Sequence, residues 1–201
     1  MTSGQGDHLE IEQKYDADAD FVLPDLGRAE PRRIYLSATY FDTENFDLIQ
    51  HKITLRRRVG GDDEGWHLKL PVRKDTRQEL HAPLDEGETG SVPARLAAQV
   101  EDITAGRRLH PVALLDTERT VLRVAAPPGN AMVEVADDRV TAIRFGEHES
   151  EPMIWREIEV EAISPGDETA ALAQSVGKAL RQAGARPSAS GSKLARVLGA
   201  S

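Results

Sequence analysis

Six short stretches of this chain alternate with a period of two, and in five of them the alternation sets charge on one side against apolar residues on the other. Residues two apart share one face of a β-strand, so such stretches read as ribbons with one oily face and one ionic face. In Leu9–Tyr15, Glu10, Glu12 and Lys14 fall together. In Ile53–Val59, Thr54, Arg56 and Arg58 oppose Ile53, Leu55 and Val59. Trp66–Leu70 sets His67 and Lys69 against Trp66, Leu68 and Leu70, and Arg77 and Glu79 share a face of the next stretch. Val133–Asp138 aligns Glu134, Ala136 and Asp138, and Glu157, Glu159 and Glu161 lie opposite Ile158 and Val160. Further strands are expected over residues 33–40, 112–124 and 140–145.

Helices are fewer. Asp167 can cap a helix to about residue 183, with Leu172, Val176 and Leu180 at every fourth position and Gly184 and Pro187 beyond its end. Residues 91–100, with Pro93 in the first turn, predict a second helix, residues 45–50 a turn or two, and 192–198 a short terminal helix. The loops at 60–65 and 125–130 suit hairpins. No repeat or domain-length linker interrupts the chain, which predicts a disordered tail over 1–7 and one domain over 8–201.

The fold class expected is α+β. Many short antiparallel strands close most economically into a barrel, because closure leaves no unpaired edge. Two arrangements remain open. The charged faces can point to water around an oily lumen, or helices can cover the oily faces outside and leave charge inside. The second is costly unless ions compensate, since unpaired buried carboxylates cost several kcal/mol each. The compensating charges available are Lys14, Arg56, Arg58 and Lys69, with divalent cations and an anionic substrate.

Composition removes several function classes. With no cysteine there is no disulfide scaffold, thiolate metal site or cysteine nucleophile. A net charge of −9 argues against general nucleic-acid binding. No apolar run approaches the roughly 20 residues of a bilayer span, and the start lacks a signal-peptide pattern, so a soluble cytoplasmic protein without membrane contact is expected. Asp16-x-Asp18-x-Asp20 imitates an EF-hand loop but has Phe21 where glycine is required. Gly60 and Gly65 have P-loop spacing without the following Lys-Ser/Thr, and neither HExxH nor GxSxG occurs.

The remaining pattern is chemical. Carboxylate triplets supply the hard oxygens that Mg²⁺ or Mn²⁺ prefers. Arg56 and Arg58, with Lys69 on a nearby strand, supply forked and point-charge donors for phosphate oxygens. Metal on one wall and phosphate on the other is the division that phosphoryl transfer requires. His67 shares the Lys69 face, either as a substrate contact or as part of the wall.

At this point the chain resembles the CYTH domains of the triphosphate tunnel metalloenzymes, from Glu10 to Leu198. Glu10-Ile11-Glu12-Gln13-Lys14 is similar to that family's ExExK, Tyr40-Phe41-Asp42-Thr43 to YFDT, Leu55-Arg56-Arg57-Arg58 to LRxR, and Trp66-His67-Leu68-Lys69 to W-x-LK. Arg77-Gln78-Glu79 resembles RxE, Glu134–Asp138 the strand ending in Leu-Asp, Glu157–Glu161 the ELEIE run, and Ser192-Lys193-Leu194 the closing SK-hydrophobic motif. Asp137 departs from the pattern by standing where an apolar residue is usual, and is expected to face outward.

The resemblance implies an eight-stranded antiparallel closed tunnel with a charged interior and helices packed outside. It implies metal ligation by Glu10, Glu12, Glu157 and Glu159, assisted by Asp138 and Glu161. It implies a triphosphate clamp of Lys14, Arg56, Arg58, Lys69, Arg119 and Lys193, with Arg77 more distant and Arg123 the alternative to Arg119. The catalytic residues so implied are Glu10, Glu12, Lys14 and Glu159. The implied activity is Mg²⁺- or Mn²⁺-dependent hydrolysis of inorganic triphosphate. Its rivals are an adenylate cyclase, a thiamine triphosphatase and a non-catalytic polyphosphate-binding module. A helical CHAD domain, which often follows in bacteria, is absent from this chain or lost to truncation.

Overall fold

The computed structural model describes residues 12–27, 30–73, 76–87, 90–126, 131–146, 151–164 and 166–199. Glu10 and the tail expected at 1–7 lie outside them. The strands are β1 (Glu12–Ala17), β2 (Arg32–Asp42), β3 (Thr54–Val59), β4 (Gly65–Arg73), β5 (Thr76–Ala82), β6 (His110–Ala126), β7 (Ala131–Arg144), β8 (Met153–Ala162) and β9 (Arg186–Pro187). The helices are α1 (Asp47–Gln50), α2 (Ala94–Ala98), α3 (Glu101–Thr104), α4 (Asp167–Gln182) and α5 (Lys193–Leu198). The two alternating stretches expected separately at 133–138 and 140–145 are the one strand β7.

All nine strands form one sheet in the order β5-β4-β3-β2-β6-β7-β8-β1-β9. The closed eight-stranded barrel is therefore corrected: among the described residues β5 and β9 are free edges. The physical reason lies in β1. Its far side pairs with β9 through Tyr15↔Pro187 and Asp16↔Arg186, so the edge that closure onto β5 would use is partly taken. The sheet nonetheless curls strongly, because β1 at one end and β5 at the other both line the same cavity.

The alternation decides what each face buries. On the convex face Tyr15, Val133, Val135, Ile158 and Val160 pack under Ala173, Val176 and Leu180 of α4. This contact is close enough that a Cβ at Gly177 would stand 2.2 Å from the Tyr15 hydroxyl, so the helix needs glycine there. A second outer cluster sets Leu55, Trp66 and Leu68 against Leu96 of α2 and Val100, with Trp66 only 1% exposed. Asp137 faces this outer side, where Arg156 grips its two oxygens at 2.8 and 2.7 Å.

The concave face is not uniformly charged, and not every helix is outside. Leu194 and Val197 of α5 pack inside the curl against Ala38, Tyr40, Leu115, Val140 and Ala142. This apolar plug floors the cavity, and Ser192 starts it by accepting the Ala195 N–H at 3.0 Å. The Tyr40-Phe41-Asp42-Thr43 segment has a matching structural role. The buried Asp42 carboxylate accepts the N–H groups of Thr43, Leu48 and Ile49 at 2.7, 2.9 and 3.0 Å, which anchors α1. Among the described residues no helix is long and apolar enough to cross a membrane.

Candidate active site

Strand register stacks the acidic triplets. Glu12 pairs with Glu161, Lys14 with Glu159 and Asp16 with Glu157 across β1 and β8, while Glu134 pairs with Glu161 and Asp138 with Glu157 across β7 and β8. Oxygens of Asp138, Glu157 and Glu159 come within 4.8 Å of one another. Packed alone in a protein interior, such a group would repel itself apart. Lys193 prevents this from the first residue of α5, with its Nζ 2.9 Å from Asp138, 2.7 Å from Glu157 and 2.8 Å from Glu159. Arg119 on β6 adds a fork, donating from Nε and Nη2 to Asp138 at 2.7 Å each and from Nη2 to Glu159 at 2.7 Å. The Trp155 indole N–H donates to Glu157 at 2.6 Å. Lys14 lies between Glu12 and Glu159, at 3.4 and 3.3 Å.

These contacts set the charge states. Burial alone would raise Glu159, but Lys193, Lys14 and Arg119 hold it well below the usual carboxylate range. Burial would lower Lys193, yet Glu159, Asp138 and Glu157 hold it well above the ordinary lysine value. Glu12 moves the other way, raised first by burial and then by the Glu159 carboxylate. The deep cluster is thus charge-compensated by Lys193, Arg119 and Lys14, although the buried Glu157 Oε1 that faces Lys193 completes no well-oriented hydrogen bond among the described residues. Glu12, Glu134 and Glu161 form a second acidic row lining the cavity, where Lys14 pairs with Glu12 and Arg123 with Glu134.

The facing wall carries the opposite sign. Arg56 and Arg58 project inward from β3, Lys69 from β4 and Arg77 from β5. Among the described residues no carboxylate stands within ion-pair distance of Arg56. Its Nη1 donates to the Tyr40 hydroxyl at 3.4 Å, and its buried Nε has no hydrogen-bond partner. Arg58 is pulled down to about 10 by burial, with repulsion from Arg56 and Arg119 added. Glu79 lies 3.3 Å from Lys69 and 2.8 Å from His67. Burial would raise Glu79, but His67, Lys69 and Arg56 bring it to about 2. His67 is a wall residue, 4% exposed, whose Nε2 meets the Asp63 carbonyl at 2.9 Å. Both His67 contacts are with acceptors, so satisfying both requires a proton on each ring nitrogen, against the burial that lowers its pKa.

One cavity of about 340 Å³ collects Glu12, Lys14, Arg56, Arg58, Lys69, Arg77, Arg119, Arg123, Glu159, Glu161 and Lys193. Asp138 and Glu157 stand behind its wall and reach it through Arg119 and Lys193. Arg119 and Arg123 both line it, but Arg119 holds the deep carboxylates, whereas Arg123 lies at the mouth 3.2 Å from Glu134. Glu134, aligned with Asp138 by its spacing but given no role from the sequence, lines the cavity as well. Arg32, Glu79, Asp62 and Asp63 are further lining residues that carried no site role on sequence grounds. No periodic signal exists for a hairpin loop folding back over a wall.

The family model described as CYTH domain matches residues 8–197. Two uncharacterized proteins of Mycobacterium tuberculosis, one from each of two strains, are 39% identical over 209 residues and match 96% of this chain. The chain spans 40% of the length of these relatives. Among solved structures, a candidate adenylate cyclase from Bacillus halodurans superposes with TM-score 0.62 at 17% identity, covering 94% of this chain and 96% of that one. A candidate adenylyl cyclase from Hippeastrum, described as having a dominant triphosphatase activity, gives 0.59 at 16% identity over 94% and 95% of the two chains. A Pyrococcus horikoshii protein gives 0.55 at 18% identity over 94% and 98%. At such identities the likeness is one of fold.

Proposed function

Because the chain belongs to the CYTH domain family, we propose that it is a divalent-metal-dependent hydrolase of inorganic triphosphate. The observation that carries this reading is Arg56, a guanidinium largely withdrawn from water inside the cavity with no carboxylate partner among the described residues. A cation so placed is stabilised when an anion enters, and the neighbouring Arg58, Lys69 and Lys14 extend the same track. Tyr40 is the one aromatic side chain among the described lining residues. That offers little for stacking a base or a thiazole, and so favours a substrate without an organic part over the cyclase and thiamine triphosphatase readings.

The acid wall offers the oxygens a hard cation takes: Glu12, Glu134, Glu159 and Glu161 line one cavity, and behind it Asp138 and Glu157 bring carboxylate oxygens within 4.8 Å of that of Glu159. Glu12, Glu159 and Glu161, with Glu134 beside them, would hold Mg²⁺ or Mn²⁺. When bound, the metal would neutralise phosphate charge and make a water more acidic. The chain's own residues do the rest. Arg56, Arg58 and Lys69 orient the phosphoryl chain, and Lys14, between Glu12 and Glu159, is placed to neutralise charge that develops as the bridging P–O bond breaks. Arg119 and Lys193 keep the acid wall in position, and α5 shuts water out from below. Water adds to the terminal phosphorus, and orthophosphate and pyrophosphate leave.

A second reading, a polyphosphate-binding module without turnover, draws on the pairing of Asp138 and Glu157 with internal cations. Glu12→Gln separates the two. On the hydrolase reading the variant loses metal-dependent phosphate release from tripolyphosphate while melting as cooperatively as the wild type. Unchanged turnover in the variant would remove Glu12 from the mechanism, and absence of turnover in the wild type would favour the binding module.

A further inference from the structure

The hairpin loop between β3 and β4 does more than join two strands. Gly60 and Gly61, with φ of +87° and +79°, turn it back over the cavity mouth, where Gly61, Asp62 and Asp63 become part of the lining. A side chain at Gly60 would put its Cβ 2.3 Å from the Tyr35 carbonyl oxygen, so the return path is specified by glycine. The loop lays its acids on the phosphate wall. Asp62 pairs with Arg32 at 2.7 Å, and the Asp63 carboxylate pairs with Arg58. The Asp63 carbonyl also accepts from His67 and, at 3.3 Å, from Arg58 Nη2. The pairing is lopsided: the Arg58 side chain is 8% exposed and that of Asp63 is 66% exposed. An exposed partner can leave at low cost, whereas a buried guanidinium cannot stay unpaired at low cost.

We infer that Asp63 is a specificity-determining latch, an internal carboxylate that reserves Arg58 until a phosphate chain long enough to reach it from Arg56 arrives. This deepens the triphosphate reading and rests on it. The length criterion comes from strand geometry. Arg56 and Arg58 are two residues apart on β3, about 6.6 Å along the strand. Orthophosphate can engage Arg56, which has no carboxylate to displace among the described residues, but does not span to Arg58. A three-phosphoryl chain anchored on Arg56 holds its next groups beside Arg58 at high effective concentration, and there it competes with the single carboxylate of Asp63. Asp62 on Arg32 adds a weaker, more exposed counterpart at the rim, with side-chain exposures of 76% and 53%.

The test uses the full chain in chelator, so that no turnover intervenes, and measures binding by calorimetry. Asp63→Asn keeps the shape of the loop and removes the competing charge. It is expected to bind tripolyphosphate about tenfold tighter than the wild type and to leave orthophosphate binding within about twofold. Asp85→Asn, which removes an exposed acid that does not line the cavity, is the charge control and is expected to change neither. In the wild type, hydrogen exchange of the amides from Gly60 to Glu64 should rise when tripolyphosphate binds and not when orthophosphate does. Equal gains for both anions, or the same gain in Asp85→Asn, would show a general field effect and overturn the latch. A wild type that binds tripolyphosphate with Asp63→Asn no tighter overturns the latch alone. A wild type that binds neither anion overturns the phosphate reading with it.

Discussion

Replacing Lys193 by methionine removes one ammonium from three carboxylates at once. Asp138 and Glu159 keep Arg119 and Glu159 keeps Lys14, but among the described residues Glu157 is left with the Trp155 indole and no cation. A buried charge stripped of its partner costs about 3–5 kcal/mol, which in a domain of this size lowers Tm by roughly 6–20 °C. The pH dependence follows from the shifts. Glu159 titrates below its ordinary 4.5, so its contribution is present above that value and is lost as pH falls through the depressed one. Lys193 titrates above its ordinary 10.5, so its contribution is full below that value and is lost only as pH rises further. Between those limits the wild type is flat in these groups. Lys193→Met should show its full deficit at neutral pH, and the deficit should shrink in acid as the orphaned carboxylates take up protons. Because the vacated position is a ring of hard oxygens, Mg²⁺ or Mn²⁺ should raise the Tm of the variant more than that of the wild type, by about 2.7 kcal/mol at a hundredfold excess over Kd. Thermal melts at pH 4 to 8, with chelator and with metal, read all of this. A variant melting within about 2 °C of wild type at pH 7 in chelator would refute the ion-network account. Identical metal responses would refute the carboxylate cluster as a cation site.

Two other perturbations act on the opposite wall. Arg56→Met removes a partly buried cation that makes no ion pair among the described residues and acts on Glu79 only at longer range, so melting should stay within about 2 °C of wild type, while triphosphate turnover falls about 100-fold. A large loss of stability would mean that Arg56 supports the fold. Glu79 sits at about 2 against an ordinary 4.5, so its contribution is present above 4.5 and fades as pH falls toward 2. Denaturant melts across that window should show wild-type stability sloping down and Glu79→Gln sloping less. Parallel curves would contradict the His67 and Lys69 pairing.

Which residues share a face was legible from the chain, because side-chain alternation is a property of the extended backbone itself, whereas whether that face looks inward or to water was not. Glu12 with Lys14, Arg56 with Arg58, and Glu157 through Glu161 were each grouped on one face by spacing alone, and the curl of the sheet turned those faces to the cavity or its wall. The helix at 167–183 was legible for the same local reason. Who meets whom was not. Lys193 reaches Asp138 from 55 residues away because α5 enters the curl, and nothing in a six-residue helix announces whether it packs inside or outside. Sheet closure failed as an expectation because β9, two residues long, claims part of the edge of β1. The Asp63 latch depends on where two glycines send a loop. Periodicity is settled within a few residues of backbone, whereas register across strands, the curl of a sheet and the neutralisation of buried charge are settled by the whole packed chain, and on them depends whether the acidic row becomes a repelling cluster or a cation-binding wall.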